Sequence, residues 1–471
     1  MKSIIIILVN IIFLILITAC DSKTDSPAPE KTYPDLTQQK LLTDDELITP
    51  DLDYSLFADE NYQNGVANNH HKIRSLVYDQ DFSDLYFLEP LLTGKRIVQL
   101  GENTHGSAEF NHLKIRMIKY MHEQLGFNVI AFESSLLACH MEEKVIQNLT
   151  PINAMYGCIY GVWHTQELIE LFRYIQQTKM TQHPLILTSF DTQLSSWRDT
   201  PEEYLNFLKP LVANIDSQTL ISTEQAIESF FKLDVAYDAC GLSNQTQCQY
   251  FLDNYAANIQ LLLQLHTRLE EYILITTLSD AELIDFNMAS IGFKSLTRII
   301  AQMYELSGFA ASGFGFNIPE RDDGMAENIT AIAEKVYPGE KIIIWAHNAH
   351  ISNAAYFGSF HAMGEALKLH WKEQLYTIGF FMIRGKSNGN KADPIAVLRH
   401  YNSSLEALAY SLRTAAIFLP FSLINMPTLD DDWQFIPFLT KYWGVDDFET
   451  ILSERFDAVI VIDRSTRSAR M

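Results

Sequence analysis

The sequence predicts an α/β fold: a mostly parallel sheet flanked by helices, with an all-helical insertion subdomain. Three observations predict it. Short apolar runs recur at 97–100, 128–132, 185–190, 342–345, 376–381, 415–419 and 458–462, each the length of a buried strand. Stretches with helical spacing separate the early runs, which is the pattern of a parallel sheet with crossover helices. From Pro201 to about Gly308 helical spacing continues with few turn signals, as Tyr255, Ile259, Leu262, Leu263 and Leu269 illustrate, so an insertion is expected over about 201–308.

The N-terminus reads as lying outside this fold. Lys2 precedes an apolar run from Ile4 to Ile17, followed by Ile17-Thr18-Ala19-Cys20. The run is short for a spanning helix and has the layout of a secretory signal. Its end resembles a bacterial lipoprotein cleavage box, with 1–19 as signal peptide and Cys20 as the acylated lipid anchor. Residues 20–34, rich in Ser, Thr, Asp, Lys and Pro, read as a flexible tether to a body spanning 35–471. The expected location is exported, lipid-anchored to the cell envelope, with the folded domain in the periplasm. Export leaves Cys139, Cys158, Cys240 and Cys248, an even set that permits two disulfides in three pairings. Cys240 and Cys248 enclose a short polar loop and are the favoured pair.

Composition narrows the partners. The formal net charge is -23, which argues against nucleic acid and against a polybasic membrane-surface mode. Membrane contact is therefore expected through the anchor alone. Hydrophobic content of 47% with 20% charged residues fits a globular body.

In chain order, residues 35–90 are expected to add one or two helices near the first strand, with His70-His71 in a solvated turn. The stretch 97–110 then organises the rest. Its strand ends at Gly101, a loop carries Glu102 and His105, and a helix begins near Ser107. Phe110, Leu113, Met117, Ile118, Met121 and Leu125 recur at helical spacing, and Gly126 closes the run. The second strand runs into Glu133 and the third into Asp191, with Trp163-His164 opening an amphipathic helix between them. Arg321-Asp322 leads into a helix through Glu334. The fourth strand runs into His347 and His350.

Strand ends in a parallel sheet share one edge, where ligands bind, so Glu102, His105, Glu133, Asp191, His347 and His350 are expected to converge. A neutral imidazole takes a proton from attacking water, a carboxylate orients it, and a histidine or arginine stabilises the oxyanion. Arg321, Asp191 and His164 are candidate substrate-binding groups. This reading needs no cofactor. The same set suits a divalent metal such as zinc or manganese, and the alternative is a metal-dependent hydrolase of envelope or peptide substrates. No His-Glu-x-x-His pattern, Gly-x-Ser-x-Gly elbow or Walker loop occurs. A third reading is a non-catalytic binding protein that keeps the fold.

Five ordered motifs carry a resemblance. They are Gly101-Glu102-Asn103-Thr104-His105-Gly106, Phe132-Glu133-Ser134, Arg321-Asp322 with Met325-Ala326-Glu327-Asn328, Trp345-Ala346-His347-Asn348-Ala349-His350, and Phe456-Asp457-Ala458. From about residue 80 onward the chain resembles the erythromycin esterase family. The resemblance implies an α/β core with a helical subdomain, a small-molecule ester substrate, and hydrolysis of a macrolide lactone without an acyl-enzyme, hence macrolide inactivation. By motif, His105 corresponds to the general base and Glu102 and Glu133 to its orienting carboxylates. His347 and His350 correspond to positioning or oxyanion-stabilising groups, and Arg321 to an assisting one. One departure is Ala108-Glu109-Phe110, where family members often carry Arg-Glu before the Phe; the missing guanidinium would have been a fork-shaped donor.

Overall fold

A computed structural model of the chain describes residues 60–194, 196–241, 244–306, 318–355, 361–391, 393–398, 400, 404–421, 432–435 and 437–471. Cys20, the signal segment and the tether lie outside the described residues. The strands are β1 (His71–Ile73), β2 (Ile97–Leu100), β3 (Phe127–Ser135), β4 (Ile186–Asp191), β5 (Lys341–Trp345), β6 (Leu375–Asn388), β7 (Pro394–Ala396), β8 (Ala416–Pro420), β9 (Phe438–Tyr442), β10 (Asp446–Thr450) and β11 (Ala458–Ser465). Nine of them form one mixed sheet in the order β1-β8-β11-β6-β2-β5-β3-β4, with β7 paired to β6. From β11 to β4 every neighbouring pair is parallel. The edge strand β1 and the adjacent β8 are antiparallel to their neighbours. The expected α/β fold with a mostly parallel sheet is what the structure has.

Register places the strand ends level. Leu100 pairs with Trp345, Trp345 with Phe132, and Phe132 with Ser189. Glu102, Glu133, Asp191 and His347 therefore follow within one or two residues of a common row. Because strand side chains alternate, the sheet is covered on both faces. Val98, Leu100, Phe132 and Trp345 pack in one core layer with Phe110, Leu113 and Phe172 of the crossover helices. Ile97, Val129, Ala131 and Ile344 pack in the other with Phe230, Leu262, Phe286 and Ile329 of the helical subdomain.

Local chemistry sets the helix boundaries around the first crossover. Ser107 caps the helix Ala108–Leu125 by accepting from the Phe110 N–H, and Gly126 ends it at φ +71°. The region of the expected insertion holds the helices Pro201–Val212, Ser217–Gly241, Gln245–Ile275 and Asp280–Leu306. Cys240–Cys248 ties the second to the third, and Cys139–Cys158 joins the helix Leu136–Val145 to Pro151–Cys158.

Some elements differ from the sequence reading. β3 continues to Ser135, so Glu133 lies within the strand rather than beyond it. β6 runs to Asn388, seven residues past the apolar stretch that ends at Phe381, because its end pairs with β7 and β11. His71 is not in a solvated turn: it begins the edge strand β1 and stacks on Phe87 at 4.4 Å. The β9–β10 hairpin was not expected, since Asp446-Asp447-Phe448-Glu449-Thr450 lacks a long apolar run and takes its place through cross-strand pairing and the packing of Phe438, Tyr442 and Phe448 on the core.

Cys139 and Cys158, 19 residues apart, close a loop beside the sheet edge that carries Glu133. Replacing both by serine is expected to lower the unfolding free energy by about 3 kcal/mol, read from denaturant midpoints; an unchanged midpoint would contradict this.

Candidate active site

The first half of the site is built on a buried carboxylate. Glu102 is fully buried, and its Oε1 accepts from His105 Nδ1 and from Trp163 Nε1, each at 2.7 Å. Its Oε2 is paired with the Lys114 ammonium. Lys114 is itself fully buried, with its charge 3.9 Å above the Trp345 ring. Burial would raise the Glu102 carboxyl, but Lys114 and His105 outweigh it and hold it below its usual value. Burial also pulls the Lys114 amine down to about 8 against the attraction of Glu102. Because Nδ1 donates to Glu102, the neutral His105 ring presents its lone pair at Nε2. That ring lies between Trp163 at 5.0 Å, His347 at 5.2 Å and Trp443 at 5.4 Å.

The loop that carries this pair is clamped from two directions. Asn348 donates its backbone N–H to the Glu102 carbonyl at 2.8 Å, and its side chain bonds the Phe380 backbone through both amide atoms. Gly101 must be glycine, since a Cβ would fall 2.1 Å from Asn348 Oδ1. On the far side the last residues cross the loop. Ala108 donates to the Thr466 carbonyl at 3.0 Å, Ser468 donates to the Gly106 carbonyl at 2.9 Å, and Glu109 accepts from Thr466 N–H and Oγ1.

The second half is an ion network. Arg321 grips Asp191 through Nε at 3.0 Å and a terminal nitrogen at 2.6 Å, and that nitrogen also reaches Glu133 Oε1 at 2.9 Å. Tyr160 donates to Asp191 at 3.0 Å. His350 sets Nδ1 2.9 Å from Asp322 and Nε2 3.3 Å from Glu133. Burial would depress the His350 imidazole, yet Asp322 and Glu133 outweigh it and raise its pKa. Burial would raise Glu133, but His350, Arg321 and His105 draw it down to about 2. Its Oε2 accepts the His347 backbone N–H at 2.8 Å, which joins the two halves.

His347 sits at that junction. Its Nδ1 accepts from the Ala349 N–H at 3.2 Å, capping the short helix Asn348–Ile351, so the proton of the neutral ring is on Nε2. That Nε2 is buried and makes no close hydrogen bond among the described residues, the Asn103 backbone being the polar group that the ring faces. Burial, reinforced by His105 and His350, holds its pKa well below the ordinary value. The result is a neutral donor beside the base, the type of group that steadies a developing oxyanion.

Of the residues expected from sequence, Glu102, His105, Glu133, Asp191, Arg321, His347 and His350 come together. His164 does not. Its Nε2 bonds the Ile159 carbonyl at 2.9 Å, its ring stands edge-on to Tyr156, and burial lowers its pKa to about 4. The cause is the 3-10 turn Gly161–Trp163, which sends Trp163 rather than His164 to Glu102. Lys114, Trp163, Asp322, Tyr160 and Trp443 were not read as site residues. Lys114 had a signal, since it interrupts the apolar face formed by Phe110, Leu113 and Met117.

Among the described residues, no three His, Cys, Asp or Glu side chains are arranged to hold a metal ion. The Nδ1 atoms of His105 and His350 face carboxylates instead. Two clefts of about 520 and 620 Å³ lie elsewhere: one involves His266 and Lys294 in the helical subdomain, the other His122 and Tyr174 near the start of β3. Neither includes the residues gathered here.

Comparison with known proteins agrees with this architecture. The erythromycin esterase family model matches residues 122–465. The YbfO protein of Bacillus subtilis (strain 168) is 31% identical over 404 residues, covering 82% of this chain and 87% of its own length. Erythromycin esterase type II of Escherichia coli is 20% identical over 437 residues, covering 86% of this chain and 98% of its own. The solved structure of an erythromycin esterase mutant in its open conformation shares the fold, with a TM-score of 0.62 at 20% identity over 85% of this chain and 98% of that one. The chain belongs to the erythromycin esterase family.

Proposed function

We propose that this protein is a carboxylic ester hydrolase in which His105 activates water for attack on an ester or lactone carbonyl. One observation carries the reading: the 2.7 Å contact from His105 Nδ1 to the buried Glu102, which leaves Nε2 as the basic atom. Family membership supports hydrolase activity, and the named erythromycin esterases among its relatives support a macrolide lactone as a candidate substrate.

The geometry supports the following steps. His105 Nε2 takes a proton from water as its oxygen bonds the carbonyl carbon, and Glu102 stabilises the imidazolium. The carbonyl oxygen gains negative charge and accepts from the His347 Nε2–H, near the positive charge of Arg321 and His350. The tetrahedral species collapses, the carbon–oxygen bond to the alcohol breaks, and the His105 imidazolium returns its proton to the departing oxygen. No acyl-enzyme forms. Glu133 holds Arg321, His350 and the His347 backbone in place.

In the same reading, residues 1–19 direct export and Cys20 carries the lipid that tethers a periplasmic body. The two disulfides support an oxidising compartment. A small-molecule ester is the substrate, and no cofactor takes part.

A panel of esters containing erythromycin and p-nitrophenyl acetate tests the reaction by mass spectrometry. At least one member is expected to gain the mass of one water. His105→Ala is expected to lower kcat/KM at least about a hundredfold; equal activity in the variant would remove the proposal. Activity is expected to survive exhaustive chelation, whereas loss on chelation and return with zinc or manganese would favour the metal-dependent alternative. The raised pKa of His350 gives a signed prediction. Its stabilising contribution is complete below the unfolded histidine pKa of about 6.5 and is lost as pH rises through the higher folded value. The unfolding free energy of wild type minus that of His350→Gln should therefore shrink across that interval. A difference that stays constant or grows would contradict the assigned charge.

A further inference from the structure

Trp443 is held in an uncommon conformation at the edge of the site. Of the four non-glycine residues with positive φ among the described residues, it is the only aromatic one, at +56°. Left-handed backbone favours glycine, asparagine and aspartate, and a bulky residue there marks a position fixed by its surroundings. The turn is tight: Tyr442 pairs with Asp446, Val445 donates to the Tyr442 carbonyl at 3.1 Å, and Gly444 follows at φ +74°. The hairpin is tied to the catalytic loop by Asn103 Nδ2, which donates to the Lys441 carbonyl at 3.2 Å. It has no room to sink inward, since a Cβ on Gly444 would fall 2.7 Å from the Met382 side chain.

The indole that this backbone projects lies on the two histidines. It stacks on His347 at 5.3 Å with 25° between the planes, and it meets His105 edge-on at 5.4 Å and 82°. Trp443 is 8% exposed, and the His105 side chain only 13%. With Nδ1 of His105 turned to Glu102 and Trp163 on another side, the indole occupies room that groups flanking a scissile carbonyl would need. A reacting carbon must come within about 3 to 3.5 Å of its nucleophile, so bulk beside it meets this ring first.

We infer that Trp443 is a specificity-determining residue, whose indole restricts hydrolysis at this site to esters with a slender group beside the carbonyl. The inference rests on the hydrolytic reading above and deepens it by ranking the candidate substrates, placing a macrolide lactone, which is branched beside its carbonyl, behind slender esters. Unbranched esters precede branched ones, and shortening the side chain reverses the preference.

The test uses the full chain, with Trp443→Ala and Trp443→Gly as variants. The glycine variant also relieves the left-handed backbone, so it retains the turn if alanine does not. One readout is independent of turnover: carbethoxylation of His105 by diethylpyrocarbonate, followed by peptide mass spectrometry against the exposed His361. The His105 rate is expected to rise several-fold in both variants, with His361 unchanged. The second readout is the ratio of kcat/KM for p-nitrophenyl pivalate over p-nitrophenyl acetate, expected to rise about tenfold or more. Equal labelling of His105 overturns the inference, as does an unchanged ratio in a variant whose labelling has risen. If wild type and variants hydrolyse neither of these esters nor erythromycin, the restriction on hydrolysis falls together with the hydrolytic reading, while faster labelling of His105 would still show that the indole covers the base.

Discussion

A carboxylate cut off from water must be neutralised by its neighbours, and Glu102 is where this chain meets that requirement. Its donors come from three places: His105 on the same loop, Lys114 on the following helix and Trp163 on a distant turn. Each donor is thereby fixed relative to the other two. The same logic governs Glu133, which gathers Arg321, His350 and the His347 backbone. Buried charge acts here as scaffolding: removing one partner would leave another buried charge uncompensated, so the groups persist as a set.

The balance of charge also bears on the chemistry. Four carboxylates, Glu102, Glu133, Asp191 and Asp322, face three cations, Lys114, Arg321 and His350. In the proposed reaction a fourth cation would arise at His105, and surroundings already rich in carboxylates would need little reorganisation at that moment. His347 plays the opposite part. It stays neutral because it is buried beside other imidazoles, and neutrality preserves the Nδ1 lone pair that accepts from the Ala349 N–H.

The parallel sheet and the convergence of Glu102, His105, Glu133, Asp191, His347 and His350 could be read from the chain because strand ends obey a simple rule: apolar runs stop where the edge begins. The Ser107 and Gly126 boundaries were legible for a similar reason, since caps are local chemistry. His164 misled because one turn of 3-10 helix exchanges the directions of adjacent side chains, and nothing in Gly161-Val162-Trp163 fixes that geometry in advance. Trp443 was invisible because its place depends on a hairpin whose strands lack an apolar signature. Lys114 is the instructive middle case. A lysine on an apolar helical face has a buried counter-charge or does not stay buried, and that inference was available from spacing alone.

The crossing of the Gly106–Glu109 stretch by Thr466 and Ser468 joins parts of the chain more than 350 residues apart. A partly synthesised chain therefore has the imidazole but not the brace that fixes its loop. Such long-range closure is late in folding, since most of the intervening polymer must order first. The loop that holds His105 is consequently braced only once Thr466 and Ser468 have joined the fold.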